Sequence, residues 1–349
     1  MRFYRGKRVL VTGGLGFIGS NLAIELVRLG ARVTIVDACI EGCGANPYNI
    51  APIAHDVRVV RCDIGDARAL QPLLNGVDLI FNLAGEISHS HSMRFPERDL
   101  EINAASQMLF LRECAERLPG VRVVYAGTRQ VYGKPQYLPV DEDHPVAPVD
   151  YNGVNKHAAA EYHLMLTRAG LLDAVILRLT NTYGPRLAVS VPCQGVLSVF
   201  FMRLLLGLPL EVFGNGEQLR DPLYVDDVVD ALLRAGAADE LLSRVYNVGG
   251  PEALSLGKVA DVLTSLVEAP PVIYRSFPME ASRIDIGSFY ADSTRARREL
   301  QWQPATSISE GAARTLEFFR QHLQAYLDPA NGYPQCHLRG VMEKVSKYA

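Results

Sequence analysis

The chain has 349 residues, of which 48% are hydrophobic, 21% charged and 8% aromatic, a composition that excludes disordered, collagen-like and disulfide-scaffold classes. Its formal net charge of −3 supplies no long-range attraction for nucleic acid or an anionic membrane, although a local basic patch could still hold a phosphorylated small molecule. Six cysteines (Cys39, Cys43, Cys62, Cys114, Cys193, Cys336) form no CxxC pair and have no histidine at metal-ligand spacing, so they read as cytosolic thiols rather than disulfides or metal ligands. The longest apolar stretch, from Val196, is interrupted by Arg203 and falls short of a bilayer span, and the N-terminal MRFYRGKRVLVTGG lacks a secretory apolar region. A soluble, cytoplasmic protein is expected.

In chain order, RVLVT at 8–12 is a continuous β-branched run of the kind buried on both faces of a parallel sheet. A glycine-rich turn follows, then a helix near 20–29 with Leu22, Leu26 and Leu29 on one face and Gly30 as its stop. The cycle repeats through strands ARVTIVD and VRVVRCD, a short helix in ARALQPLL, and strand DLIFNLAG. Next come a helical stretch near 99–117, strand VRVVYAG, a helix near 154–169 and strand AVILRLT. Such alternation predicts an α/β, Rossmann-like doubly wound parallel sheet over residues 1–180. After 180, proline and glycine become frequent, predicting a smaller α/β substrate lobe over 181–327, with some chain crossing back to the first domain. That lobe has helices near 195–206, 225–237 and 308–323 and a short strand LEVFG, and a tail at 328–349 shows no periodicity.

The run VTGGLGFIGSNLA sets Gly13, Gly16 and Gly19 between strand one and helix one, with Phe17 and Ile18 as further cofactor-binding candidates. A loop there must turn tightly and let backbone N–H groups approach a pyrophosphate, which then sits at the helix N-terminus. Asp37 closes strand two about twenty residues on, where its carboxylate can accept from the adenosine ribose hydroxyls and repel a 2′-phosphate. That favours NAD over NADP. Asp63, followed by Ile64, ends strand three and either reaches the adenine amino group or caps the following helix.

With these motifs stand NLAGEISHSHSMRFPERDLEIN, AGTRQVYG, RLTNTYGPR, GNGEQLRDPLYVDDVVDA, YNVGG and LQWQP. Together, over roughly residues 7–320, the sequence resembles the extended short-chain dehydrogenase/reductases, in particular the nucleotide-sugar epimerases and dehydratases. The resemblance implies that Asn82, Ala84 and Gly85 lie along the nicotinamide ribose and phosphate, and that residues 88–92, beginning with Ser88, border the sugar. It places Thr128 where a hydroxyl meets the reacting sugar oxygen and Lys156 on the nicotinamide ribose. Asn181 and Arg220 would hold the substrate diphosphate, unless Arg220 pairs with Asp221, Asp226 or Asp227.

One position departs from the pattern. The family's general base is a Tyr four residues before the Lys, one helical turn away. Here that place is Asn152, and Tyr151 stands five residues before Lys156, about 140° around a regular helix. Either Tyr151 lies in irregular backbone, eased by Gly153, that swings its ring into the site; or Asn152 replaces the base as a neutral partner; or hydride chemistry is lost and the fold only binds. His89 and His91 are further proton-carrying candidates or surface loop residues, while Tyr132, Tyr183, His157 and His163 read as packing or interface groups.

Family members that dehydrate the sugar carry an acidic pair, Asp then Glu, after the catalytic Thr; here the pair is Arg129 and Gln130. Decarboxylating relatives keep a Glu beside VYG, and Gln130 cannot move a proton in that way. Arg129 could meet a uronate carboxylate or pair with an acid such as Glu86. The expected function is therefore NAD-dependent epimerisation of a nucleotide-diphosphate sugar, of UDP-hexose or UDP-uronate type, with Thr128, Tyr151 and Lys156 catalytic. The alternatives are a keto nucleotide-sugar reductase or a non-catalytic NAD-binding or nucleotide-sugar-binding module. The resemblance also implies a homodimer joined through the helix carrying Lys156 and its neighbour near 99–117. Ala158, Ala159 and Ala160 suit that interface or packing against the sheet.

Overall fold

In the computed structural model, which describes residues 2–191, 195–277 and 284–327, the run RVLVT forms β1 (Arg8–Thr12), four of its five residues buried. The expected tail, Cys193 and Cys336 lie outside the described residues. After β1 come α1 (Phe17–Arg28), β2 (Arg32–Asp37), β3 (Arg58–Arg61), α2 (Ala67–Leu74), β4 (Leu79–Asn82), α3 (His89–Arg94) and α4 (Pro96–Leu100). A π-helical turn, Glu101–Ala105, joins α4 to α5 (Ser106–Arg117), and β5 (Arg122–Thr128), α6 (Tyr151–Arg168) and β6 (Asp173–Leu179) follow. Beyond them lie β7 (Thr182–Tyr183), α7 (Val196–Leu205), β8 (Glu211–Phe213), β9 (Leu219–Arg220), β10 (Leu223–Tyr224), α8 (Val225–Ala237) and β11 (Val245–Val248).

Seven strands make one parallel sheet in the order β11-β6-β5-β4-β1-β2-β3. Register is set by paired apolar residues, Val11 lying beside both Ile35 and Phe81. The order reverses at β1, between β4 and β2, and in such sheets a ligand enters the crevice at the carboxyl ends beside that reversal. Thr12, Asp37, Asn82 and Thr128 each end a strand on that edge. Strand β11 and helix α8 come from the chain after residue 181 yet complete the sheet and its cover, Val228, Leu232 and Tyr246 joining the main core with Val9, Val11 and Phe81.

A second cluster forms the smaller lobe, where Tyr183, Phe200, Phe201 and Val212 pack against Val259, Leu263 and the helix Ile308–Leu327. Helix α1 starts at Phe17, three residues before the expected position, because Gly16 is extended and acts as the cap. Helix α6 likewise starts at Tyr151, since the Asp150 carboxylate accepts the Gly153 N–H at 2.7 Å and closes the first turn early. Ala159 and Ala160 pack on Tyr125 and Ile176, so two of the three alanines serve the sheet. Among the described residues no helix is long and apolar enough to cross a membrane.

Candidate active site

One cleft runs along the carboxyl edge of the sheet and continues between the two lobes. Its wall takes in Gly13, Gly16, Phe17, Ile18, Gly19, Asp37, Asp63, Ile64, Ala84, Gly85, Thr128, Arg129, Lys156 and Asn181, and leaves out Asn82, Ser88, Tyr151 and Arg220.

The nucleotide end follows from its glycines. Gly13 has φ +67°, and a Cβ there would stand 2.7 Å from the Leu83 carbonyl oxygen; at Gly19 a Cβ would lie 2.2 Å from the Gly13 carbonyl oxygen. Neither place admits a side chain, so the loop backbone approaches the end of β4 and the start of α1 packs onto the loop. Asp37 is buried at the end of β2, its two carboxylate oxygens accepting the N–H groups of Leu15 at 3.0 Å and Cys39 at 2.9 Å. Burial raises its pKa despite these bonds. Asp37 thus ties the glycine loop to the strand. Asp63 does not cap α2: Asp66 does, accepting from Arg68 and Ala69, whereas Asp63 accepts the Gly65 N–H at 2.6 Å on the cleft wall.

Asn82 is withdrawn from the cofactor surface that the sequence assigned to it. Fully buried, it accepts from Thr12 Oγ1 at 2.7 Å, donates to Gln107 Oε1 at 2.7 Å, and faces His163 Nε2 at 3.1 Å. Its amide sits under the cleft floor and braces β1 against β4 and α5. His163, stacked on Tyr125, is held neutral by burial, which pulls its pKa to about 4. Tyr132 and Tyr183 are buried too, each hydroxyl on a protein acceptor.

Lys156 is buried on α6, and a Cβ placed on Gly85 would meet its Nζ and Asn103 Oδ1, each at 2.7 Å. Burial lowers its pKa to about 8, opposed mainly by the Asp99 carboxylate. Asp99, on α4, also accepts from Asn155 (2.8 Å), Asn152 (2.9 Å) and Asn103 (3.1 Å). Three helical segments therefore converge on one buried carboxylate. Asp99, Asn103 and Asn155 were not foreseen from the sequence; the π-helical turn that aims Asn103 inward leaves no compositional trace.

Because α6 is regular from Tyr151 onward, the tyrosine points away from Lys156; it is 48% exposed and absent from the cleft wall. The irregular-helix expectation fails for a plain reason, which is the Asp150 cap. Asn152 takes the inward place. Its amide nitrogen donates both hydrogens, one to the Glu86 carbonyl oxygen at 2.9 Å and one to Asp99, and its backbone N–H reaches Ser92 Oγ at 3.3 Å. The amide is anchored and does not titrate.

On the sugar side, Thr128 ends β5 and its hydroxyl accepts the Gln130 N–H at 3.1 Å. Gln130 donates to Asp150 Oδ2 at 2.8 Å. Arg129 stacks on Phe289 with its Cζ 4.9 Å from the ring centroid, and its Nη1 is enclosed without a hydrogen-bond partner. Burial first and the Arg220 charge second pull its pKa to about 9. It does not pair with Glu86, which instead contacts His91 and Arg98. The Asn181 side-chain oxygen is likewise enclosed and unpartnered. Arg220 forms none of the expected ion pairs; its Nη1 donates to the carbonyls of Leu219 at 2.7 Å and Gly287 at 2.6 Å. Ser88 caps α3 by accepting the His91 N–H, leaving Ile87 and His89 on the wall beside it.

Residues 9–249 match the model of the NAD-dependent epimerase/dehydratase family. The chain belongs to that family. It is 35% identical over 324 residues, 91% of this chain and 100% of the relative, to a UDP-glucose 4-epimerase of Mycolicibacterium smegmatis. A solved UDP-glucose 4-epimerase of Thermotoga maritima, with UDP-glucose, superposes with a TM-score of 0.82 at 28% identity, covering 90% of this chain and 99% of that one. A dTDP-glucose 4,6-dehydratase of Streptomyces venezuelae, solved with NAD, gives 0.83 at 27% identity over 92% and 99%. NAD is the cofactor, and the cleft fits it: a glycine cradle for the pyrophosphate, Asp37 at the end of β2, and the Lys156 ammonium beside Gly85.

Proposed function

We propose that the protein epimerises a nucleotide-diphosphate sugar, of UDP-hexose or UDP-uronate type, within an NAD-dependent nucleotide-sugar site. The observation that carries this reading is the chemistry of positions 129 and 130. Loss of water across the sugar's C5 and C6 needs an acid and a base close to both carbons. After Thr128 stand Arg129, a cation stacked on Phe289, and Gln130, a neutral amide bound to Asp150. Neither residue moves a proton, so elimination lacks its machinery.

NAD, when bound, supplies a hydride acceptor that later returns the hydride to the opposite face of the sugar. Thr128 meets the reacting hydroxyl, and Lys156 holds the nicotinamide ribose and keeps a positive charge beside it. Asn181 and Arg129 line the cleft, and each holds an enclosed polar atom without a protein partner, which suits a polar ligand entering from the lobe side. A homodimer accords with Val154 and Met165, each about half exposed, sharing one face of α6 with Ala158.

The test is incubation of the purified protein with UDP, dTDP, GDP and CDP sugars, followed by chromatography. Epimerisation yields an isomer of unchanged mass and no accumulation of free reduced cofactor. A product lighter by one water, or external cofactor consumed in proportion to product, would replace this reading with dehydration or reduction.

A further inference from the structure

An epimerase needs a group that takes the sugar hydroxyl proton as hydride leaves, and neither Tyr151 nor Asn152 is placed to do so. On the cleft wall that carries Thr128, Gln130 and Lys156 stands one imidazole, His89, at the start of α3. Its Nδ1 is enclosed and lies 3.1 Å from Asp150 Oδ2, an ion-pair distance outside hydrogen-bond alignment. Such contacts in ligand-free sites often align only once substrate is bound. The Asp150 side chain is wholly inaccessible to solvent. Burial alone would favour its protonation, but His89, the Gly153 N–H and Gln130 together hold the carboxyl below its ordinary range. The same Oδ2 accepts from Gln130 at 2.8 Å, so the imidazole and the segment after Thr128 meet at one oxygen.

We propose that His89 is the acid–base residue of this site and that Asp150, which also caps α6, is its positioning residue. The proposal rests on the epimerase reading. Asp150 fixes the proton on Nδ1, which leaves the lone pair on Nε2. In the forward step the sugar O–H bond breaks and its proton goes to Nε2. The C–H bond on the same carbon breaks with its electron pair, which leaves as hydride to NAD, so the alcohol carbon is oxidised to a ketone as NAD is reduced. The return step reverses both transfers on the other face, and His89 ends neutral. A buried carboxylate beside the ring stabilises the imidazolium formed in between. The arrangement makes one residue serve both as N-cap and as catalytic support, so the early start of α6 and the loss of an inward tyrosine share one cause.

Helix α3 packs against α4, which carries Glu97, Arg98 and Asp99, and against α6, which Asp150 caps and whose first two turns carry Tyr151, Lys156 and His157, while α3 itself carries His91 and Arg94. The test uses the full chain loaded with NAD. In single turnover with UDP-glucose or UDP-glucuronate, followed at the absorbance of reduced cofactor, His89→Gln should slow reduction at least about 100-fold. It should keep NAD content and UDP-glucose affinity within about threefold. Asp150→Asn, which preserves the helix cap, should slow it less, in the rate of reduction and not in UDP-glucose affinity. A His89→Gln rate within threefold of the wild type overturns the proposal.

A second measurement does not depend on turnover. With ring-labelled histidine, the His89 resonance should move in Asp150→Asn relative to the wild type, because the carboxylate 3.1 Å from Nδ1 is replaced by an amide, and should move when UDP-glucose is added to the NAD-loaded protein. A His89 signal indifferent to both changes overturns the proposal whatever the activity. A wild type that turns over no sugar, with His89 still responding to both, refutes the epimerase reading while keeping His89 coupled to Asp150 and facing the ligand as proposed.

Discussion

Lys156→Met should make the cofactor-free protein more stable, not less. Burial lowers the ammonium's pKa from the ordinary lysine value of 10.5 to about 8, even with Asp99 opposing the shift. That difference corresponds to ~3 kcal/mol of preference for the neutral form in the folded state. The sign follows from proton binding. Between pH 8 and 10.5 the unfolded chain holds a proton on this lysine that the folded chain has lost, so stability rises with pH across that window; below it the folded state carries the full penalty of a buried charge. Methionine keeps the stem and removes the charge. At pH 7 the variant should therefore gain up to about 3 kcal/mol, and this site's part of the stability increase between pH 8 and 10 should vanish. Urea unfolding of NAD-free wild type and variant at pH 7 and pH 9.5 reads both effects, while NAD affinity and turnover should fall. A Lys156→Met protein less stable than the wild type at pH 7 would show that the ammonium is a net structural asset, contrary to this reasoning.

Other expectations are simpler to state. Tyr151→Phe should leave turnover and cofactor content within about twofold, since the ring is half exposed and off the cleft; a large loss of rate with NAD retained would return the tyrosine to the reaction. Asp37→Ala removes the acceptor for the Leu15 and Cys39 N–H groups along with the charge proposed to meet the ribose, and calorimetry should record NAD binding weaker by about 1.5–3 kcal/mol. Unchanged affinity would sink the assignment. Arg129→Met should raise KM for the nucleotide sugar tenfold or more with no loss of thermal stability, because its Nη1 has no partner within the protein to lose; a marked fall in Tm would mark the guanidinium as structural. Sedimentation should find a dimer, and Val154→Glu with Met165→Glu should weaken it. A monomeric wild type would contradict that proposal.

Legibility differed by the range of the contacts involved. The sheet was readable because its inner strands are local runs of apolar residues buried on both faces, the edge strand β3 being exposed, and the glycine loop because its spacing is set by one turn and one helix start. The place of Asp37 on the cleft wall was readable for the same reason, since it depends on where β2 ends. What escaped was whatever several distant segments assemble. Asp99 matters because α6 and a π-helical turn bring three amides to it, and Asn82 left the cofactor surface because Thr12, Gln107 and His163 claim its amide. The two capping aspartates mark the boundary between these cases. Asp63 and Asp66 both precede α2, and only the backbone geometry selects Asp66; Asp150 decided where α6 begins, and with it which of Tyr151 and Asn152 faces Lys156.

The most direct test of the central claim is to run the reaction in D2O with the sugar that gives an isomer, and to weigh the product by mass spectrometry. A hydride that leaves a carbon and returns to that carbon does not exchange with solvent, so the isomer should carry no deuterium on carbon. An isomer that has gained one carbon-bound deuterium would mean that a proton is abstracted beside a carbonyl instead, and would contradict the account.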